Sequence, residues 1–307
     1  IKERMMNKAI THGLIAGLAT VIIGCFDNRC AYEETGELRF RALLELNSRG
    51  ETGNTCTYPT DIPFGIWALS LPVNKTWNNH ADGAQTFLED CRVIWNGATW
   101  ITDTTHNWPP DRRVTFFAYS PYRFPATFST ERGIEFKNFN TAADSTDLMF
   151  SGPIVDLDWK NSGGTVQIPF TRALCMVDFR VQTPVPSDMI IRLKKIALEG
   201  VAFSGNFQSL PEATWSETGD TGEAVFFEGN LPLDESEQQA GGTRLMMPQQ
   251  TRVTVKATCD IVTNGNTLAG QELETDATLE WGTGKHCSYT LKITPDTLVF
   301  TTDILKP

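Results

Sequence analysis

The positions of histidine, cysteine, carboxylate and tryptophan residues decide first what chemistry this chain could carry. Of four histidines, His12 lies in an N-terminal leader, which leaves His80, His106 and His286. None is paired at HExxH or HxxxH spacing, so no hydrolytic metal site is expected and no metal is assigned. No Gly-x-Ser-x-Gly nucleophile elbow occurs. Gly282, Thr283, Gly284 and Lys285 lack the full spacing and the following hydroxyl of a phosphate-binding loop, and read as a turn before a strand. Asp156 and Asp158 stand two apart, which on a strand puts both carboxylates on one face, and Trp159 beside them could stack a sugar. A β-sandwich glycosidase needs such a pair. A solvent-facing strand edge accounts for the same residues, and nothing in the sequence sets one carboxylate's pKa against the other. Trp67, Trp77, Trp95, Trp100 and Trp108 form an aromatic-rich stretch that is either a glycan platform or, as the preferred reading, sandwich core. The expectation is a protein that is not an enzyme, with no catalytic residue and no cofactor.

The chemistry that the sequence does specify lies at the N-terminus. Lys2, Arg4 and Lys8 precede an apolar run over residues 9–24, broken only by Thr11, His12 and Thr20. Basic residues followed by a short apolar stretch are a secretory signal, too short for an ordinary membrane span. The run ends in Ile22, Ile23, Gly24 and Cys25, which resembles a lipobox. It implies cleavage after Gly24 and diacylation of the Cys25 sulfur, with residues 1–24 as leader and 25–36 as a polar tether. Translation is expected to start at Met5 or Met6. No second apolar run of spanning length follows.

Export to an oxidising compartment permits disulfides. If Cys25 carries lipid, Cys30, Cys56, Cys91, Cys175, Cys259 and Cys287 remain; six cysteines allow fifteen connectivities and the sequence selects none. No pair is spaced as CxxC, which argues against zinc. Cys175 and Cys259 lie in strand-like runs and read as buried thiols. The net charge of −11 disfavours a nucleic-acid partner, whose phosphates need a basic face.

The elements that would position these residues are strands. In residues 37–46, Leu38, Phe40, Ala42, Leu44 and Leu46 alternate with charged neighbours, broken only by Leu43. This is the pattern of a half-buried strand, closed by a polar breaker segment from Asn47 to Gly50. Similar runs lie at 114–119, 174–181, 252–258, 288–293 and 297–304, and 189–199 reads as strand from its neighbours. Many short strands separated by turn residues imply an all-β sandwich or barrel. Length suggests two domains, 37–163 and 164–307, divided at the Gly-rich turn 161–164. The acidic, Gly-rich segment 217–243 reads as a long surface loop in the second.

The order of motifs resembles the fimbrillin family of the Bacteroidetes, in its minor-fimbrillin-like branch. The likeness covers nearly the whole chain. It runs from Cys25 and Phe40, Ala42, Ser48 and Arg49 through Trp108 and Pro109, residues 116–122 (FFAYSPY) and 147–151 (DLMFS). It continues through Ile168, Pro169 and Phe170 with the strand 174–181, then 245–249 (LMMPQ), and closes on Trp281, Gly284 and residues 289–293. The resemblance implies two transthyretin-like β-sandwich domains in tandem and a fimbrial stalk, anchor or tip subunit, exported as a lipoprotein to the outer membrane. It implies partners in other fimbrial subunits, in the membrane through the lipid, and in host or bacterial surface ligands. It also implies proteolysis after an arginine, here between Arg49 and Gly50, and exchange of the first strand. The exchanging residues would be Leu38, Phe40, Ala42, Leu44 and Leu46, with Leu298 and Phe300 on the donor. The alternative is a monomeric adhesin or glycan-binding lipoprotein.

Overall fold

The computed structural model describes residues 36–45, 55–185 and 188–303. Cys25, Cys30, Leu46, Arg49 and Gly50 lie outside the described residues, so neither lipidation nor cleavage has a structural account. Among the described residues the chain is all-β, as expected. The first ten strands are β1 (Arg39–Glu45), β2 (Thr55–Thr57), β3 (Phe64–Pro72), β4 (Gln85–Trp95), β5 (Trp100–Thr102), β6 (Arg112–Ser120), β7 (Ala126–Ser129), β8 (Gly133–Asn140), β9 (Met149–Leu157) and β10 (Thr165–Arg172). The second ten are β11 (Cys175–Gln182), β12 (Met189–Ala202), β13 (Ser204–Gln208), β14 (Thr214–Glu217), β15 (Thr221–Pro232), β16 (Gln238–Met246), β17 (Gln250–Thr263), β18 (Asn266–Glu280), β19 (His286–Ile293) and β20 (Leu298–Asp303). A short 3-10 helix, Trp77–Asp82, follows β3.

The N-terminal sheet has the order β10-β9-β6-β3-β4-β5-β1-β2, and a further β10–β1 pairing closes it on itself. It surrounds a core that includes Leu38, Phe40, Phe64, Phe116, Ile168 and Phe170, all essentially sealed from solvent. Two four-stranded sheets, β16-β11-β19-β20 and β15-β12-β17-β18, form the C-terminal sandwich. Their inward residues, among them Val177, Phe179, Leu198, Val255 and Leu291, make the second core. Residues 189–199 fall within β12, a strand as expected.

A fourth sheet, β14-β13-β8-β7, joins the halves, because β8 and β13 pair antiparallel with Phe136 opposite Phe207. Its apolar residues share a core with Trp67 of β3 and with Phe117 and Tyr119 of β6. Both β3 and β6 are thus covered on two faces. That explains their continuous apolar runs, since only a strand with one wet face must alternate.

Two expectations need correction. The turn at 161–164 is present, with Gly164 at φ +79°, but it leads from β9 to β10, which hydrogen-bond in one sheet. The boundary set at 163/164 therefore falls inside that sheet, because Val166, Ile168 and Phe170 of β10 are buried beside β1. Segment 217–243 is not a long loop; it holds β15 and most of β16. Ala224 and Phe226 point into the core, Val225 and Phe227 are half-buried and Glu223 and Glu228 are exposed, an alternation that the acidic and Gly-rich composition obscures.

Candidate strand-exchange groove

β1 realises the alternation of its sequence. Leu38, Phe40, Ala42 and Leu44 are 0%, 1%, 4% and 8% exposed, whereas Arg39, Arg41 and Glu45 face solvent. Leu43, the residue that breaks the pattern, is half-buried on the outer face. Both backbone edges are engaged. On one side β1 runs parallel to β10, with Phe40 beside Val166 and Leu44 beside Phe170. On the other side Phe40 pairs with Trp100 of β5, and residues 43–45 pair with β2. At its start, the Leu38 N–H donates to the His106 carbonyl at 2.8 Å and the Trp108 N–H to the Gly36 carbonyl at 3.2 Å. At its end, the Thr171 hydroxyl donates to the Glu45 carboxylate at 2.8 Å.

The cradle beneath β1 is aromatic. Phe40 lies edge-on to Phe64 and Phe116, with centroids 6.3 and 6.1 Å away. Tyr58 packs on Phe64, Trp100 and Phe170, and its hydroxyl lies 2.5 Å from the Ser120 hydroxyl. Burial pushes the Tyr58 phenol up to about 12. Each of Leu38, Phe40 and Leu44 contributes roughly 1.5–3 kcal/mol by burial. Withdrawal of β1 would expose that apolar floor and leave two ladders of backbone groups without partners.

Trp159 has a structural task at the start of β1. A Cβ on Gly36 would stand 2.3 Å from its ring and one on Gly164 2.7 Å, so the indole fits only because both positions are glycine. The carboxylates proposed for glycosidase chemistry are committed locally. Asp156 accepts the Trp77 N–H at 2.8 Å, and Asp158 accepts the N–H groups of Lys160 and Asn161 at 2.9 and 2.8 Å. Of the tryptophans considered as a glycan platform, Trp67, Trp100 and Trp108 are buried core residues, Trp77 stacks on His80 and Trp95 is 38% exposed. His106 sits beside Thr102, and His286 bonds Asp178.

The expected donor segment forms β20, which pairs with β19 at one end of its sheet. Leu298 is buried, Phe300 stacks on Tyr289 at 4.7 Å, and Val299 is half exposed on the other face. β20 thus alternates over Leu298, Val299 and Phe300, while Thr301 and Thr302 are both exposed. Residues of the motifs quoted above make specific contacts, one of them with Arg172 of β10. Asp147 receives the Arg172 guanidinium at 2.8 Å, and Trp281 donates to the Tyr289 hydroxyl at 2.9 Å. Burial pushes the Asp147 carboxyl up, and Arg172 opposes that rise. Gln249, given no role from sequence, is buried and bonds both the N–H and carbonyl of Ala202 and the carbonyl of Met247. The Gln249–Gln250 pair after Pro248 gave no signal of this.

Stacked β-sheets with an alternating first strand held along both edges define an all-β protein of the β-sandwich class. The chain belongs to the fimbrillin-like family, whose model matches residues 63–304. It is 26% identical over 187 residues to the fimbrium subunit Fim1C of Phocaeicola vulgatus, covering 53% of this chain and 49% of that protein. It thus spans about half the length of the curated relative it matches. The crystal structure of a fimbrial protein from Bacteroides vulgatus matches with a TM-score of 0.65 at 17% identity, over 87% of this chain and 98% of that one. That likeness is one of fold.

Proposed function

We propose that this chain is a structural subunit of a bacterial surface fimbria, exported as a lipoprotein and assembled by exchange of its first strand. The observation that carries the reading is β1 itself. It is an alternating strand with three buried apolar side chains and a fourth, Leu38, just before it; it is hydrogen-bonded on both edges, and Ser48, Arg49 and Gly50 follow it closely in the sequence. Cleavage after Arg49 would cut the covalent link between β1 and the rest of the fold while β1 stayed hydrogen-bonded in place. A competing strand of the same alternation would then displace it and restore both the ladders and the apolar contacts, which is β-augmentation. β20 supplies a strand that alternates over Leu298, Val299 and Phe300, with Leu298 and Phe300 taking the places of inward β1 residues. Cys25 holds the precursor at the outer membrane through its lipid, and other fimbrial subunits are the partners.

N-terminal mass spectrometry of polymer purified from the cell surface tests this. The expected first residue is Gly50. Polymer whose subunits all begin at acylated Cys25 would overturn cleavage-driven exchange.

A further inference from the structure

The structure brings two cysteines together that sequence spacing could not pair. Cys175 opens β11 and Cys287 lies near the start of β19, and their sulfurs are 3.7 Å apart. β11 and β19 run parallel with Val177 opposite Cys287, so Cys175 is one inward step from that position on the same face. The opposite face of the same strand pair is fixed independently. Asp178 accepts the Ser288 hydroxyl at 2.5 Å and lies 2.5 Å from the His286 Nε2. Asp178 is 7% and Ser288 1% exposed, so this buried pair, with the exposed His286 at its edge, holds the register that sets the sulfurs side by side. Van der Waals contact of two sulfurs becomes a bond of about 2.05 Å after an approach of about 1.7 Å, within reach of side-chain rotation and small strand shifts.

We propose that Cys175 and Cys287 form a structural disulfide that braces β11 to β19 in the exported protein. The proposal rests on the export reading above for its oxidising compartment. The reaction is thiol–disulfide exchange with an oxidant of the dialkyl disulfide class. The Cys287 thiolate attacks one oxidant sulfur, the oxidant S–S bond breaks, and one thiolate leaves and takes up a proton. The Cys175 thiolate then attacks the Cys287 sulfur and displaces the second thiolate. The protein loses two protons and two electrons, and the oxidant gains them as two thiols. Cys287 is the partly exposed member and Cys175 is fully buried. The hydrogen bond to Cys287 and burial both hold the Cys175 thiol well above its ordinary value. Closure therefore belongs to the folding chain, before Cys175 is sealed.

The bond would matter mechanically. β19 runs through a short turn into β20, so a pull on a donated C-terminal strand loads β19 through the backbone, and the brace would pass that load covalently to the first strand of the sandwich. The two cysteines are 112 positions apart, a long loop whose closure restricts the unfolded chain strongly.

The experiment is non-reducing peptide mapping of the full chain, refolded in a glutathione–glutathione disulfide buffer and alkylated after denaturation. A linked Cys175–Cys287 peptide that disappears on reduction is expected. Quantitative alkylation of both residues without reduction would overturn the proposal and leave a plain thiol contact. Thermal melts provide a second reading: the oxidised protein should lose on the order of 10 °C on addition of dithiothreitol, and Cys287→Ala should show no such response. Equal melting of the native chain with and without reductant would also overturn it. The same mapping on protein taken from cells separates the two readings. A pair linked in the refolded protein but reduced in the cell-derived protein refutes export and leaves the pairing standing.

Discussion

Phe40 of β1 meets Phe116 of β6 edge-on, with ring centroids 6.1 Å apart and planes at 86°. The contact places the first strand's largest side chain against a strand that is itself covered on both faces. Phe40 is therefore the anchor of β1, and in the proposed exchange this contact would set how readily the strand is displaced.

Phe40→Ala should destabilise the folded chain by about 3–5 kcal/mol, and Phe40→Asp by more, because it buries a charge without a partner. Denaturant unfolding measures both. An unchanged midpoint for Phe40→Asp would contradict the register of β1.

The floor of the groove gives a pH test. Tyr58 ionises near 10 when unfolded and near 12 in the fold, where burial opposes its charged form. The native state thus holds its proton more tightly, and the stability linked to it is complete below pH 10 and lost as pH rises toward 12. Tyr58→Phe should remove about 2–3 kcal/mol of that alkaline loss. Urea titrations of both proteins at pH 9 and 12 compare them directly.

Anchoring is tested at Cys25. Cys25→Ala should abolish incorporation of labelled palmitate and release the protein from the outer membrane. Palmitate incorporation equal to the parent's would refute the lipobox reading.

Assembly is tested at both ends of the exchange. Arg49→Ala should leave a lipidated, full-length monomer on the cell surface, and deletion of residues 297–307 should stop a further subunit from adding. Heat-sensitive, detergent-resistant ladders on gels score both variants. Ladders of normal length from Arg49→Ala would show that cleavage there is not required.

The sequence by itself determined the local pattern wherever a strand has one wet face. β1, β17, β19 and β20 were legible because alternation at period two follows directly from the geometry of an extended chain. β15 was hidden because its outward residues include glycines and acids that also mark loops. Partners were not legible at all. That β1 lies parallel to β10, that β8 pairs with β13 across the expected boundary, and that Cys175 touches Cys287 each depend on residues far apart in the chain. The same holds for Trp159, a plausible sugar platform from its neighbours, which packs against the start of β1 because Gly36 and Gly164 leave room for it. Periodicity encodes which face of a strand is buried, but the choice of neighbour is made by the packing of all the faces at once, and only the tertiary structure decides it.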